Sequence, residues 1–175
     1  MNEVGRAIWI TGLSASGKTT LAKAIAARLR EDGKPVVLLD GDELRGVLAA
    51  EDARHHDRQA RLDLAFRYAR LCKLLAEQGF LVVIATISLF KEIHAWNREN
   101  LPGYLEVFLD PPMRELRKRD PKGIYARYDS GEILNVAGLD LLVDKPENPD
   151  LRITRENPSN HHFINQITEL LNHTP

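Results

Sequence analysis

Residues 12–20 read "GLSASGKTT", that is Gly12-Leu13-Ser14-Ala15-Ser16-Gly17-Lys18-Thr19-Thr20, and fit G-x-x-x-x-G-K-[ST] at every fixed position. The apolar run "AIWITG" precedes them and reads as a buried strand. "KTTLAKAIAARLRE" follows, with Leu21, Ala24, Ile25 and Leu29 at helical spacing. Strand, glycine loop and helix form the context this motif needs. Gly12 and Gly17 allow the backbone to wrap a polyphosphate, and the N–H groups at the helix start point inward. Lys18 is placed to reach the β and γ phosphates of a nucleotide, and the Thr19 hydroxyl to ligate Mg²⁺. Nine residues therefore predict a nucleotide cradle. They leave open whether the chain is a kinase, a GTPase or a motor.

The remaining sequence narrows this choice. The chain has 175 residues, 43% hydrophobic and 28% charged, with a net charge of −1. We expect one domain over 1–175, with a sizeable core. The near-neutral charge gives no field that calls for nucleic acid or a membrane, and no apolar run is long enough to cross a bilayer. The opening "MNEVGRAIWI" lacks signal-peptide architecture, and the single Cys72 permits no disulfide within the chain. A cytoplasmic location is expected, with Cys72 a small buried hydrophobe rather than a nucleophile.

Strand-like runs recur as "AIWIT", "PVVLLD", "FLVVIATIS", "YLEVFLD" and "LRIT". Helical patterns over 18–31, 57–78 and 90–100 fall between the first four, and others cover 112–119 and 159–172. Such alternation predicts an α/β fold, a parallel sheet with helices on both faces. The segment 120–150 breaks the pattern with Pro, Gly, Asp and Lys and little periodicity. A long segment of this kind in a compact chain reads as a lid, here placed at about 121–149.

The strand "FLVVIATIS" ends without an acid, whereas "LLDGDELR" places Asp40 and Asp42 just after the second strand. That position faces the crevice at the carboxyl ends of the strands, beside the phosphate loop. A carboxylate there can orient an acceptor hydroxyl, take its proton, or hold Mg²⁺ through water. We assign Asp42 to the acceptor and Asp40 to Mg²⁺. Arg45, Arg58, Arg61 and Lys122 are the candidate cations of the same site. The pairs His55-His56 and His161-His162 lack metal spacing and read as solvated.

With "GLSASGKTTLA", "LLDGDELR", "RDPKGIY", "GEI" and "PENPDL" in order, the chain resembles the adenylylsulfate kinases over nearly its whole length. The resemblance implies a P-loop kinase three-layer sandwich, with a five-stranded parallel sheet in the order 2-3-1-4-5 and a lid. It implies transfer of the ATP γ-phosphoryl group to the 3′-hydroxyl of adenylylsulfate, with Mg²⁺. Lys18 and Thr19 then serve ATP and Mg²⁺, Asp42 resembles the base, Arg45 and Arg58 the acceptor anchors, and Lys122 the lid lysine. Ile87 and Ser88, in "TISLF", fall on the acceptor side, Ser88 matching a serine near the transferring phosphate. A small-molecule nucleotide acceptor is the partner implied, and a homodimer is compatible with the sequence.

The departures from the family lie on the acceptor side. "DRQARLDL" stands where the family usually reads D-R-x-E-N-I-R-R, so the acceptor-contacting Asn is Arg61 and the basic pair is Asp63 and Leu64. One of two phenylalanines that sandwich the acceptor adenine aligns with Val136 of "NVAGLD"; the other has no counterpart in "AAEDARHHD". By analogy with base–aromatic contacts, each lost ring face removes ~1–3 kcal/mol of stacking. Adenylylsulfate is thus the first acceptor to consider, and a modified cytidine nucleotide such as cytidine diphosphoramidate the alternative. A regulatory ATPase or switch is a third reading. The missing acid after the third strand and the absence of a water-positioning Gln count against it.

Overall fold

A computed structural model describes residues 5–48, 57–154 and 161–173. Five strands form one parallel sheet: β1 (Arg6–Gly12), β2 (Val36–Asp40), β3 (Leu81–Thr86), β4 (Leu105–Leu109) and β5 (Leu151–Ile153). Their order across the sheet is β2-β3-β1-β4-β5, as the family resemblance implies. The helices are α1 (Lys18–Glu31), α2 (Gly41–Leu48), α3 (Arg58–Glu77), α4 (Lys91–Asn100), α5 (Met113–Arg119), α6 (Ile124–Asp129) and α7 (His161–His173).

The two-residue period of a strand sends alternate side chains to opposite faces. Ile8 and Ile10 of β1 pack with Leu21 and Ile25 of α1 and with Ile167 of α7. Ala7 and Trp9, which alternate with them in sequence, pack with Ala65 and Cys72 of α3 and Ile93 of α4. Both faces of β1 are covered, which explains why the strand reads as a continuous apolar run rather than an alternating one. Trp9 is fully buried.

Boundaries follow from local chemistry. The Asp57 side chain accepts the Ala60 N–H at 2.8 Å and starts α3 at Arg58. The run expected to continue as strand through Ser88 stops at Thr86, because Ser88 takes a positive φ of 25° and turns the chain along the edge of the site. The lid segment holds α6, which a six-residue period cannot announce in sequence. Gly123, at φ 63°, leads into α6, and the Asp120 carboxylate accepts the Ala126 N–H at 3.0 Å. Leu116, Tyr125 and Val136 form a small core under the lid, joined by Leu13 and Ala15 of the glycine loop.

Candidate active site

The glycine loop connects β1 to α1 and is shaped as a cradle. A Cβ on Gly12, at φ 153°, would meet the Leu109 carbonyl at 2.5 Å, so only glycine lets the loop leave the strand here. Ala15 and Gly17 also take positive φ, 64° and 96°. The Lys18 ammonium donates to the Leu13 carbonyl at 2.7 Å and lies 3.4 Å from Ser16 Oγ. Burial lowers its pKa to about 8, against the attraction of Asp42 and Asp40 and with the repulsion of Lys122. A half-buried cation at a helix N-terminus is a suitable environment for polyphosphate.

Asp40 joins the loop to the second strand. Thr19 Oγ1 donates to Asp40 Oδ2 at 2.6 Å, and the Asp42 N–H donates to Asp40 Oδ1 at 2.9 Å. A hydroxyl and a carboxylate in contact are the oxygen donors a hard divalent cation takes, so these residues fit Mg²⁺. Asp42 projects from the first turn of α2 and forms an ion pair with Lys122. Burial alone would raise its pKa, but Lys122 and Arg45 hold the carboxyl below the usual range.

The lid lies against the loop. Tyr125 donates to the Ser14 carbonyl at 2.9 Å, and a Cβ on Gly138 would sit 2.8 Å from Leu13 Cδ1. Between lid and strand ends is a cavity of about 1010 Å³, at the upper end of the size range for small-molecule sites. Ser14, Ala15, Gly17, Lys18, Thr19 and Thr20 line it, whereas Gly12, Leu13 and Ser16 of the loop do not. Asp40, Asp42, Arg45, Arg61, Ile87, Ser88, Lys122 and Val136 line the same cavity.

Arg58, expected to anchor the acceptor, is engaged differently. It is not among the lining residues; its guanidinium bonds to Glu92 at 3.0 Å and Asp144 at 3.1 Å and lies over the Phe90 ring. Two carboxylates answer its charge, and Asp144 lies just beyond the central part of the lid, so Arg58 ties that end of the segment to α3. The Arg58 bond holds Glu92 below the usual carboxylate range. A folded-state pKa below the unfolded one gives stability that is present at neutral pH and lost as pH falls through the lowered value. Arg58→Ala should therefore lower the thermal midpoint by about 2–4 °C near neutral pH, as for a loss of about 1 kcal/mol. The deficit should shrink in acid. A deficit independent of pH would show that packing over Phe90, not the carboxylates, is what Arg58 contributes.

Arg61 reaches across the cavity, and its Nη2 donates to the Asn135 carbonyl at 2.7 Å. Asn135 precedes Val136, so the two positions that depart from the family pattern meet in space. Burial lowers the Arg61 pKa, and the nearby Arg45 lowers it further. Val136 is 6% exposed and packs into the lid core while bordering the cavity. Ser88 Oγ pairs with Thr86 Oγ1 at 2.8 Å. Cys72 is buried within α3, and burial pushes its thiol up to about 12, which makes it no nucleophile. His161 and His162 are exposed; His55 and His56 lie outside the described residues.

Several lining residues were not singled out in sequence: Tyr68, Arg119 and Arg127. Tyr68 had a signal, since Arg61, Leu64 and Tyr68 follow i, i+3, i+7 and share one face of α3. Arg119 and Arg127 had none, because each sits in a run where any cation is solvated by default. Among the described residues no helix is long and apolar enough to cross a membrane.

Comparison with known proteins agrees with this geometry. The family described as adenylylsulphate kinase matches residues 4–154. The chain is 44% identical over 140 residues to the cytidine diphosphoramidate kinase of Campylobacter jejuni, covering 80% of this chain and 81% of that one. It is 40% identical over 149 residues to the adenylyl-sulfate kinase of Pseudomonas aeruginosa, covering 83% and 74%. Its fold matches that of the Mycobacterium tuberculosis APS kinase CysC, solved with AMPPNP and APS, at a TM-score of 0.87 and 35% identity, covering 96% and 98%. With the glycine loop and the sheet order in place, the chain belongs to the adenylylsulphate kinase family of P-loop kinases.

Proposed function

We propose that this kinase transfers the γ-phosphoryl group of MgATP to the 3′-hydroxyl of a modified cytidine nucleotide of the cytidine diphosphoramidate type, in preference to adenylylsulfate. The observation that carries this reading is the wall formed by Arg61, the Asn135 carbonyl and Val136. It offers a guanidinium and a small aliphatic side chain where an adenine would need ring faces. A guanidinium can stack on any base and pair with a carbonyl oxygen or a phosphate. Similarity to the Campylobacter kinase points the same way.

The donor chemistry is common to both acceptors. Lys18 and the N-terminus of α1 hold the β and γ phosphates, and Thr19 and Asp40 hold Mg²⁺. When bound, the metal neutralises charge on the transferring group. Asp42 orients the acceptor hydroxyl and takes its proton. Arg45 and Arg61 face the acceptor's anionic groups, and Lys122 covers the transferring phosphate from the lid.

Adenylylsulfate is the second reading. It is favoured by the Pseudomonas and Mycobacterium relatives and by Phe90, whose ring borders the cavity. Phe66, another candidate for the missing ring, is not among the lining residues: it packs edge-on against Trp96 with centroids 6.2 Å apart.

The test is kcat/KM for cytidine diphosphoramidate and adenylylsulfate at one fixed salt concentration. A preference of at least about tenfold for the cytidine nucleotide is expected, the equivalent of one good polar contact. Arg61→Asn should erase most of that preference. A strong preference for adenylylsulfate with tight binding in the unaltered enzyme would overturn the reading.

A further inference from the structure

Tyr68 is 3% exposed, its ring within the core between α3 and the sheet, yet its hydroxyl reaches the active site. The hydroxyl donates to the Gly41 carbonyl at 3.0 Å. Gly41 is the residue between Asp40 and Asp42 and the first of α2. Its other neighbours pack closely: a Cβ would lie 3.1 Å from Thr86 Oγ1 and 3.2 Å from the Ala85 carbonyl, so they would have to give by a few tenths of an ångström. The three-residue segment is thus fixed at each member. Asp40 is fixed by Thr19 and the Asp42 N–H, Gly41 by Tyr68, and Asp42 by Lys122. Of these, the contact from Tyr68 is the one that comes from the core. Arg45, one turn along α2, lines the same cavity as Tyr68.

We propose that Tyr68 is a positioning residue for phosphoryl transfer. Its hydroxyl pins the Asp40–Gly41–Asp42 segment to α3 and so aims the Asp42 carboxylate and the Arg45 guanidinium into the cavity. The phenol thereby links the core face of α3 to the backbone that carries the candidate base. The consequence is specific. Without the hydroxyl the segment carrying Asp42 loses that tie to the core, so base placement depends on a single hydrogen bond. The catalytic part of the inference rests on the assignment of Asp42 as the base.

Tyr68→Phe keeps the ring in the core and removes only the hydroxyl. The expected result is a fall in kcat of about tenfold, the loss of one well-placed hydrogen bond, with the KM for ATP within about twofold. Amide exchange over 41–45 should accelerate in the free variant. In an Asp42→Asn background the same change should cost less than about twofold, because two residues acting as one unit do not add. Exchange over 41–45 that matches the unaltered protein would overturn the pinning. Losses that multiply fully in the double variant would overturn the coupling to Asp42. The exchange arm needs no acceptor. If Asp42→Asn itself retains full kcat, the base assignment fails while exchange still reports on Tyr68.

Discussion

Lys18→Ala is expected to lower kcat by about a thousandfold while the protein still folds. The ammonium is half-buried, bonded to the Leu13 carbonyl, and near Asp40 and Asp42. A preorganised donor in a site shielded from water is worth roughly 2.7–4 kcal/mol when it faces charge that develops in the transition state. Lys18 is such a donor if it follows the γ-phosphoryl group as it leaves the β-phosphate oxygen. The loss should therefore appear mainly in kcat, with a smaller change in ATP affinity, because the backbone N–H groups of the loop remain. Folding should not suffer. Burial lowers the pKa of Lys18, so the native state holds this charge at a cost, and alanine relieves it. The checks are steady-state turnover, MgATP affinity by calorimetry, and the thermal midpoint. Turnover equal to that of the unaltered enzyme in a variant that binds MgATP would remove Lys18 from the chemistry.

The difference between what sequence shows and what it hides is visible within this one site. The glycine loop was legible because its residues are contiguous and each has a local reason: φ at Gly17, the cation at Lys18, the hydroxyl at Thr19. The sheet was legible because strands covered on both faces read as unbroken apolar runs, and its order came with the family resemblance rather than from periodicity. Asp40 and Asp42 were legible because a strand end beside the loop can face only one crevice. The contacts that close the site were not. Tyr125 to Ser14, Arg61 to Asn135 and Lys122 to Asp42 each join segments more than seventy residues apart. Arg58 shows what position alone leaves out. Its partners, Glu92 and Asp144, come from α4 and from the far end of the lid, and only the folded chain brings them to it. Tyr68 was half legible: its spacing from Arg61 and Leu64 puts it on the site-facing side of α3, but an aromatic in an apolar stripe is core by default, and nothing in sequence shows which way its hydroxyl points.

Asp42→Asn is expected to lower kcat by about 10²–10⁴-fold, the range for loss of a general base, with ATP affinity changed much less. Asparagine has the same shape. The Asp42 N–H keeps its bond to Asp40, and the Gly41 carbonyl keeps its bond from Tyr68, since both are backbone groups. What is lost is a negative oxygen able to take the acceptor proton, and with it the ion pair to Lys122. The second loss needs its own control, because a lid freed from Asp42 closes less often. Lys122→Ala breaks the same pair from the other side. If the ion pair alone mattered, both variants would lose the same factor in kcat/KM. If Asp42 is the base, Asp42→Asn should fall below Lys122→Ala in kcat with saturating acceptor, where closure is already driven by ligand. Asp40 provides the contrast. It sits on Thr19 Oγ1, so Asp40→Asn should raise the Mg²⁺ concentration needed for half-maximal rate, and Asp42→Asn should not. A shifted Mg²⁺ requirement in Asp42→Asn, with Asp40→Asn unaffected, would exchange the two roles and leave Asp40 as the group that faces the acceptor.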